Sequence, residues 1–270
     1  MSINNNAELV SEFIKHKVIL FKNTELSSGV IAPYYCDFRI LLGHLSTMDK
    51  VIELLANEVL KYYCIDNMEN DSKIIKPTIN RLAAIPLGSV PYTALLAKRL
   101  NAPFIMVRDK VKEYGKRTTI EGVLKFDDNV IIIEDVITTG ASVSAAIKKI
   151  LNKGSNVSAI FCILNREEGG IENIKYQYPN IKVISLCTIS SVITYALNNR
   201  VIPEYEIEKI RYYKEIQLYK VIRSLEEQNI ERNTKHKYIK DYGEWNAEHN
   251  IAFWNPNENN NNIIVDFTSL

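Results

Sequence analysis

Hydrophobic and polar positions between residues 80 and 190 alternate between short apolar runs and longer amphipathic segments. The apolar runs predict buried strands at residues 81–86, 104–108, 129–133, 157–164 and 182–186. Apolar positions spaced three and four apart predict helices at residues 7–17, 48–60, 91–100 and 142–153. Continuous apolar strands separated by such helices indicate an α/β fold, with a parallel sheet covered on both faces.

The two ends of the chain add a strand and a helix to this pattern. The aromatic-rich residues 32–42 predict a strand, and residues 205–225 predict an amphipathic helix with a broad apolar face. Ligands of parallel sheets bind at the carboxyl ends of the strands, where the strand order reverses. We therefore expect the loops after residues 86, 108, 133 and 164 to surround one crevice.

The composition is that of an ordinary folded protein, which excludes disordered and collagen-like classes. The 270 residues are 46% hydrophobic and 24% charged, with a net charge of +1. Near-neutral charge gives no electrostatic reason to expect nucleic acid or a membrane surface as partner. The charge is uneven, however, because residues 1–200 carry a net +4 and residues 201–270 a net −3.

Several sequence signals that would indicate other classes are missing. The four cysteines form no CxxC pair, so reduced thiols in a cytoplasmic protein are favoured over a disulfide framework or a zinc site. The first residues lack the basic and apolar segments of a secretory signal. Since no apolar stretch reaches 18 residues, no membrane-spanning helix is expected.

Residues 130–142 carry the most informative chemistry. A buried strand leads to two adjacent acids, Glu134 and Asp135, and then to a turn of hydroxyl residues and glycine before a helix. The turn, residues 138–142, can offer backbone N–H groups and hydroxyls to a phosphate at a helix N-terminus. The two carboxylates suit ribose hydroxyls or a hydrated Mg²⁺. No GxxxxGK[ST] loop is present, so this is not a Walker phosphate site.

This segment resembles the phosphoribosyl-pyrophosphate (PRPP) signature of type I phosphoribosyltransferases. The resemblance implies their fold, a central and mostly parallel sheet flanked by helices with a small N-terminal hood. It implies that Glu134 and Asp135 bind the ribose hydroxyls or order the metal-bound substrate. The 5-phosphate would be held by five consecutive residues, Thr138, Thr139, Gly140, Ala141 and Ser142.

A charged loop between two predicted strands is similar to the mobile loop of orotate phosphoribosyltransferases. It begins at Arg108 and continues to Gly115. Its charged composition alone would indicate only a solvated surface loop. With the resemblance, it binds pyrophosphate and closes over PRPP, with Lys112 reaching into the neighbouring subunit of a homodimer. The PRPP contacts of this loop would be Arg108, Lys110, Lys112 and Tyr114.

Three further segments sharpen the resemblance. Residues 165–170 match the D-R-x-x-G-G turn of that family, in which Arg166 stands where the arginine meets the orotate carboxylate. A planar guanidinium suits bidentate carboxylate binding. Residues 87–91 resemble the pyrophosphate loop and place Gly88 and Ser89 at PRPP. Residues 26–39 resemble the segment that clamps the orotate ring. The orotate contacts implied are Ser27, Tyr35, Cys36, Thr138 and Arg166.

The resemblance implies a reaction and its cofactor. Ribose 5-phosphate passes from PRPP to orotate, with Lys112 and Asp135 as catalytic residues. Mg²⁺ would be held mainly through PRPP and water near Glu134 and Asp135, without direct protein ligation. Two alternatives stay open. A purine or uracil phosphoribosyltransferase would keep the PRPP motif, and a non-catalytic sensor of PRPP or nucleotide would fit Ser27 and Asp109, which stand where the family often has lysine.

The resemblance covers about residues 1–200 as an orotate phosphoribosyltransferase domain and leaves residues 201–270 as a C-terminal helical extension of unknown role. In eukaryotic UMP synthase a decarboxylase follows this region. Seventy residues are too few for such a barrel, which takes about 250 residues. We therefore expect any coupled orotidine-monophosphate decarboxylase to be a separate, associated protein.

Overall fold

The structure, a computed structural model, describes residues 3–26, 29–68, 79–108 and 118–227. Its strands are β1 (Ile19–Leu20), β2 (Thr24–Glu25), β3 (Ile31–Ala32), β4 (Tyr35–Cys36), β5 (Arg81–Ala84), β6 (Phe104–Val107), β7 (Ile120–Glu121), β8 (Asn129–Ile137), β9 (Asn156–Asn165) and β10 (Lys182–Thr188). Its α-helices are α1 (Ile3–Lys15), α2 (Leu45–Met68), α3 (Val90–Leu100), α4 (Ala141–Leu151), α5 (Gly170–Gln177), α6 (Ile189–Asn198) and α7 (Glu204–Glu227).

The predicted parallel sheet is confirmed and has six strands in the order β10-β9-β8-β5-β6-β7. Every neighbouring pair is parallel except β6 and β7, which pair antiparallel at one edge. The chain moves outward from β5 in one direction and from β8 in the other. The strand order therefore reverses between β5 and β8, and a ligand crevice is expected at their carboxyl ends.

Helices cover both faces of this sheet because the central strands are apolar on both sides. In β8, Ile131 and Ile133 pack with the helices α1, α2, α3 and α6, whereas Val130 and Ile132 pack with α4 and α5. All four side chains are fully buried. The continuous apolar runs of the sequence thus predict the two-sided core correctly.

The N-terminal segment forms the small hood, but the strand predicted at residues 32–42 is wrong. Two short antiparallel pairs, β1 with β4 and β2 with β3, replace it, followed by a 3₁₀ helix at Phe38–Gly43. The Asp37 carboxylate accepts a hydrogen bond from the backbone N–H of Arg39 and caps this helix. The cap ends the extended chain five residues earlier than the aromatic pattern indicates.

Several element boundaries differ from the sequence prediction. Strand β8 continues to Ile137, so Glu134 and Asp135 lie within the strand and not after it. Helices α5 and α6 were not predicted; α6 begins at a capping box formed by Thr188 and Ser191. The helix predicted at residues 205–225 is confirmed as α7. No helix within the described ranges is long and apolar enough to cross a membrane.

A buried ion pair joins β5 to the turn before β8, at the end of the sheet opposite the crevice. The Arg81 guanidinium donates to Asp128 Oδ2 at 3.1 and 2.9 Å, and the backbone N–H of Lys125 donates to the same oxygen at 2.8 Å. Burial alone would raise the pKa of Asp128, but these contacts lower it below its usual value. Their stabilisation is therefore present above about pH 4 and is lost as the pH falls through the folded-state pKa.

Replacing Asp128 with asparagine should lower the free energy of unfolding by about 3 kcal/mol, because it leaves a buried guanidinium without its counter-charge. For a domain of this size we expect a fall in Tm of about 6 to 12 °C at pH 7. The neighbouring Asp127→Asn variant is the control, since Asp127 is exposed. Equal Tm values for the two variants would contradict the role assigned to the Arg81–Asp128 pair.

Candidate active site

Two of the predicted motifs meet in the crevice between β5 and β8. Gly88, in the loop after β5, lies directly against the Asp135 carboxylate of β8, and a Cβ atom at position 88 would overlap that carboxylate. Only glycine leaves room for the acid in its present place. The predicted pyrophosphate loop and the predicted ribose-binding acid therefore form one site.

The loop that presents Gly88 is fixed from beneath. Ser89 is fully buried, and its hydroxyl accepts from the backbone N–H of Ile85 at 2.8 Å and donates to the Ile85 carbonyl at 2.7 Å. Its own carbonyl accepts from the Thr93 hydroxyl. The Ser89 side chain therefore holds the turn into α3, so that any contact with PRPP is left to the backbone of the loop.

The predicted phosphate loop lies at the N-terminus of α4. Gly140 is the N-cap residue and has a φ of +74°, a left-handed conformation that favours glycine. The side chains of Thr139, Ala141 and Ser142 are exposed beside the helix N-terminus, and Thr138 is partly buried. Unpaired N–H groups and the helix dipole at such an end favour an anion.

The turn at residues 165–170 packs tightly against this phosphate loop. A Cβ atom at Gly140 would lie 2.6 Å from the Gly170 carbonyl oxygen, and one at Gly170 would overlap the Thr138 carbonyl oxygen. The Arg166 backbone N–H also donates to the Ile137 carbonyl at 3.0 Å. The two motifs that the resemblance assigns to phosphate and to base thus share one rigid wall.

Arg166 lies in a buried polar network at this wall. Its Nε donates to the Tyr34 hydroxyl at 2.9 Å, and its guanidinium carbon lies 4.5 Å from the centre of the Tyr34 ring. The Tyr34 hydroxyl donates to Glu168 Oε1 at 2.9 Å, and Arg166 Nη2 lies 2.7 Å from the same oxygen. The side chains of Arg166 and Glu168 are only 6% and 4% exposed. Burial raises the pKa of Glu168, although Arg166 opposes the shift.

Cys36 connects this network to the crevice. Burial raises the pKa of its thiol to about 12, and the charges of Arg166, Glu168 and Asp135 also act on it. The thiol therefore stays neutral at physiological pH and lies within electrostatic range of both the arginine and the acid. Tyr35 is partly buried beside it, 3.5 Å from the Arg39 guanidinium.

The remaining predicted residues divide into two groups. Arg108 Nη1 lies 3.2 Å from Glu121 Oε1, although the Arg108 side chain is still 41% exposed at the start of the charged loop. Glu134 is buried on β8 beside Asp135. The described ranges contain no group of three histidine, cysteine or acidic residues that could hold a metal ion. Four predicted contacts lie outside these ranges: Ser27, Lys110, Lys112 and Tyr114.

The sequence prediction missed three residues that the structure places at Arg166. Tyr34 and Glu168 contact it directly, and Tyr213 of α7 packs edge-to-face on Tyr34. Tyr34 stands beside the predicted Tyr35, and Glu168 fills a variable position of the turn motif. In the sequence, only its place on the apolar face of a predicted helix distinguished Tyr213, and that place indicates packing and not a contact with Arg166.

Comparison with known proteins agrees with this arrangement. The sequence model of the PRTase-CE family matches residues 50–265. The orotate phosphoribosyltransferase of Methanosphaera stadtmanae is 36% identical over 183 residues, covering 68% of this chain and 93% of that protein. The uridine 5'-monophosphate synthase of Caenorhabditis elegans is 31% identical over 188 residues, and the match spans 69% of this chain but 35% of that protein. The orotate phosphoribosyltransferase of Aeropyrum pernix has a TM-score of 0.55 at 25% identity, covering 69% of this chain and 96% of that one.

The sheet order and the loops at its reversal point define an enzyme of the type I phosphoribosyltransferase class. Within that class, the chain belongs to the PRTase-CE family and, by its relatives, to the orotate phosphoribosyltransferases of pyrimidine biosynthesis. The family match continues past residue 200 and includes α7. The segment regarded as an extension therefore contains residues that this family shares.

Proposed function

We propose that this protein transfers ribose 5-phosphate from PRPP to N1 of orotate, giving orotidine 5'-monophosphate and pyrophosphate. One observation carries the proposal: three separate loops meet at the β5–β8 reversal point, with Gly88 against Asp135 and Gly140 against Gly170. Arg166 lies on the same wall. The proposed substrates need these three features together, a pyrophosphate loop, a 5-phosphate loop and a carboxylate-binding cation.

The chain's own residues supply positioning and charge. The N-terminus of α4 holds the 5-phosphate, which fixes the ribose relative to Asp135 and Glu134. These carboxylates accept hydrogen bonds from ribose hydroxyls and lie near the cationic ribosyl centre that develops as the C–O bond to pyrophosphate breaks. The charged loop from Arg108 to Gly115 then neutralises the departing pyrophosphate and excludes water.

Mg²⁺ fits this site. The Asp135 carboxylate lies against Gly88 and is only partly buried, and carboxylate and phosphate oxygens are the ligands that Mg²⁺ prefers. When bound, the ion supplies further neutralisation of the pyrophosphate charge. We propose that the ion is bound mainly through PRPP and water, with Asp135 and Glu134 orienting that complex.

Incubation with orotate, PRPP and Mg²⁺ should consume orotate, which is followed by its ultraviolet absorbance. Added chelator should stop the reaction. Consumption of a purine base, with no change in orotate, would overturn the assignment in favour of another phosphoribosyltransferase. PRPP binding without turnover of any base would favour a non-catalytic sensor.

Replacing Arg166 with alanine should raise the KM for orotate by about 10- to 100-fold, because a buried charge-assisted contact of about 1.5 to 3 kcal/mol is lost. The KM for PRPP should change little, since the phosphate loop keeps its contacts. Lys182→Ala, at the far end of β10, serves as a control for loss of a cation. An effect confined to PRPP would contradict the carboxylate-binding role of Arg166.

A second candidate acceptor is a pyrimidine without a carboxylate, such as uracil. The observation that favours it is the ion pair of Arg166 with Glu168, which leaves the pair with no net charge before a substrate binds. Because Glu168 already neutralises Arg166, a substrate carboxylate that binds beside it is repelled by Glu168. Glu168→Gln should therefore increase kcat/KM for orotate and leave uracil unchanged if orotate is the substrate.

We also propose a cytoplasmic homodimer in which the Lys112 loop of each subunit completes its neighbour's site, and association with a separate orotidine-monophosphate decarboxylase. The described cysteines, Cys36, Cys162 and Cys187, are all unpaired, in keeping with a reducing compartment. Sedimentation at assay concentrations tests the dimer.

A further inference from the structure

Helix α7 fits closely over the turn that carries Arg166. Gly169, in that turn, has a φ of +87°, and a Cβ atom there would lie 2.6 Å from Cβ of Val221 on α7. Lys214 of α7 donates to the Ser190 hydroxyl at 3.1 Å and lies 3.9 Å from Glu167 Oε2. Helix and turn are therefore held together by the close approach at Gly169 and the ion pair with Glu167, and Lys214 also ties α7 to α6.

The helix is also part of the main core. Ile207 and Ile210 are buried in the same cluster as the inner strands of the sheet. The helix thus cannot leave the turn without exposing core residues, which costs about 1.5 to 3 kcal/mol for each large aliphatic side chain. This makes α7 a fixed wall, and the family match through residue 265 includes it.

Tyr213 is the residue through which α7 reaches Arg166. Its side chain is 5% exposed and packs edge-to-face on Tyr34, with ring centres 6.1 Å apart and planes at 89°. Burial raises the pKa of its hydroxyl to about 12, and the charge of Arg166 acts on it in the opposite direction. Tyr213 therefore stays neutral, and it supports the guanidinium by packing on Tyr34, which contacts Arg166 directly.

The Arg166 guanidinium is fixed in place, but not all of its hydrogen-bond donors have an acceptor. Although Arg166 Nη2 lies 2.7 Å from Glu168 Oε1, this one nitrogen has no well-aligned acceptor among the described residues. A buried donor without an acceptor costs about 1 to 3 kcal/mol, and a bound carboxylate would remove that cost. The network therefore fixes the orientation of Arg166 and leaves donor capacity for a ligand.

We infer that Tyr213 is a positioning residue of the base subsite, holding the Arg166 guanidinium in the orientation that accepts the substrate carboxylate. The inference rests on the proposed function and extends it by assigning α7, from the C-terminal segment, to the base end of the site. Tyr213 acts through Arg166, so its loss should weaken carboxylate recognition and leave phosphate binding intact.

The test is Tyr213→Phe in the full chain, which removes the hydroxyl and keeps the ring packing on Tyr34. The KM for orotate should rise by up to about tenfold, because the guanidinium loses a buried polar neighbour. The KM for PRPP, kcat for saturating orotate and Tm should stay near wild type. Tyr219→Phe is the matched control, because Tyr219 is 52% exposed on the same helix.

The outcomes separate the two levels of the proposal. If wild type converts orotate but Tyr213→Phe leaves its KM unchanged, the positioning role is wrong and the proposed function stands. Equal rises in the KM values for orotate and PRPP, with a lower Tm, would mean a merely structural role. If wild type does not use orotate, both the function and this inference fail.

Discussion

Gly88→Ala should lower kcat/KM by about 100-fold, the loss that a misplacement of about 1 Å causes at a catalytic group. The added methyl group would overlap the Asp135 carboxylate, which must rotate away or push the loop outward. Either movement separates the pyrophosphate loop from the ribose-binding acid. We expect the KM for PRPP to rise and kcat to fall, measured in steady-state assays with orotate and Mg²⁺.

Gly43→Ala is the matched control for this prediction. A Cβ atom at Gly43 would meet no atom within 4 Å, and its φ is outside the left-handed region. Its kinetic constants and Tm should equal those of wild type. Unchanged kinetics for Gly88→Ala would show that the contact with Asp135 does not organise the site. The proposal that the three loops act together as a PRPP site would then be contradicted.

Lys112→Ala should lower kcat by about 100- to 1,000-fold, the range found when one preorganised charge partner of a transition state is removed. The resemblance places this lysine against the departing pyrophosphate, where charge develops as the glycosidic C–O bond breaks. Ground-state binding of PRPP should weaken less, and calorimetric titration would measure it separately. Lys116→Ala, directly after Gly115 at the end of the loop, should have a much smaller effect. Equal effects would indicate that only the net charge of the loop matters.

The homodimer can be tested with the same variants. If Lys112 acts in the neighbouring site, mixing the weakly active Lys112→Ala and Gly88→Ala variants should restore part of the activity. Each mixed dimer would contain one site built from an intact body and an intact loop. No recovery after subunit exchange would place the lysine in its own subunit's site.

The local pattern of the chain was enough to predict the central sheet and its phosphate loop. Residues 130–133 are apolar on both strand faces, so their burial follows from sequence alone. Gly140 and the hydroxyls around it also form a local signal, because strand, turn and helix N-terminus are consecutive. Strand β8 runs four residues further than predicted, since Glu134, Val136 and Ile137 continue to pair with β9.

The base end of the site could not be predicted in the same way. Tyr34 and Glu168 are 134 residues apart and Tyr213 lies on the last described helix, so only the fold brings them to Arg166. A glutamate two positions after an arginine is an ordinary surface pair in sequence, and its burial is a tertiary property. The wrong strand at residues 32–42 has a related cause, since the Asp37 cap outweighs the aromatic pattern.

The ratio of kcat/KM for orotate to that for uracil tests whether orotate is the acceptor, because the two bases differ by the carboxylate assigned to Arg166. We expect wild type to prefer orotate by about 10- to 100-fold, the equivalent of a buried charge-assisted contact. Arg166→Ala should remove most of that preference. A wild-type ratio near one, or a preference for uracil, would contradict the account.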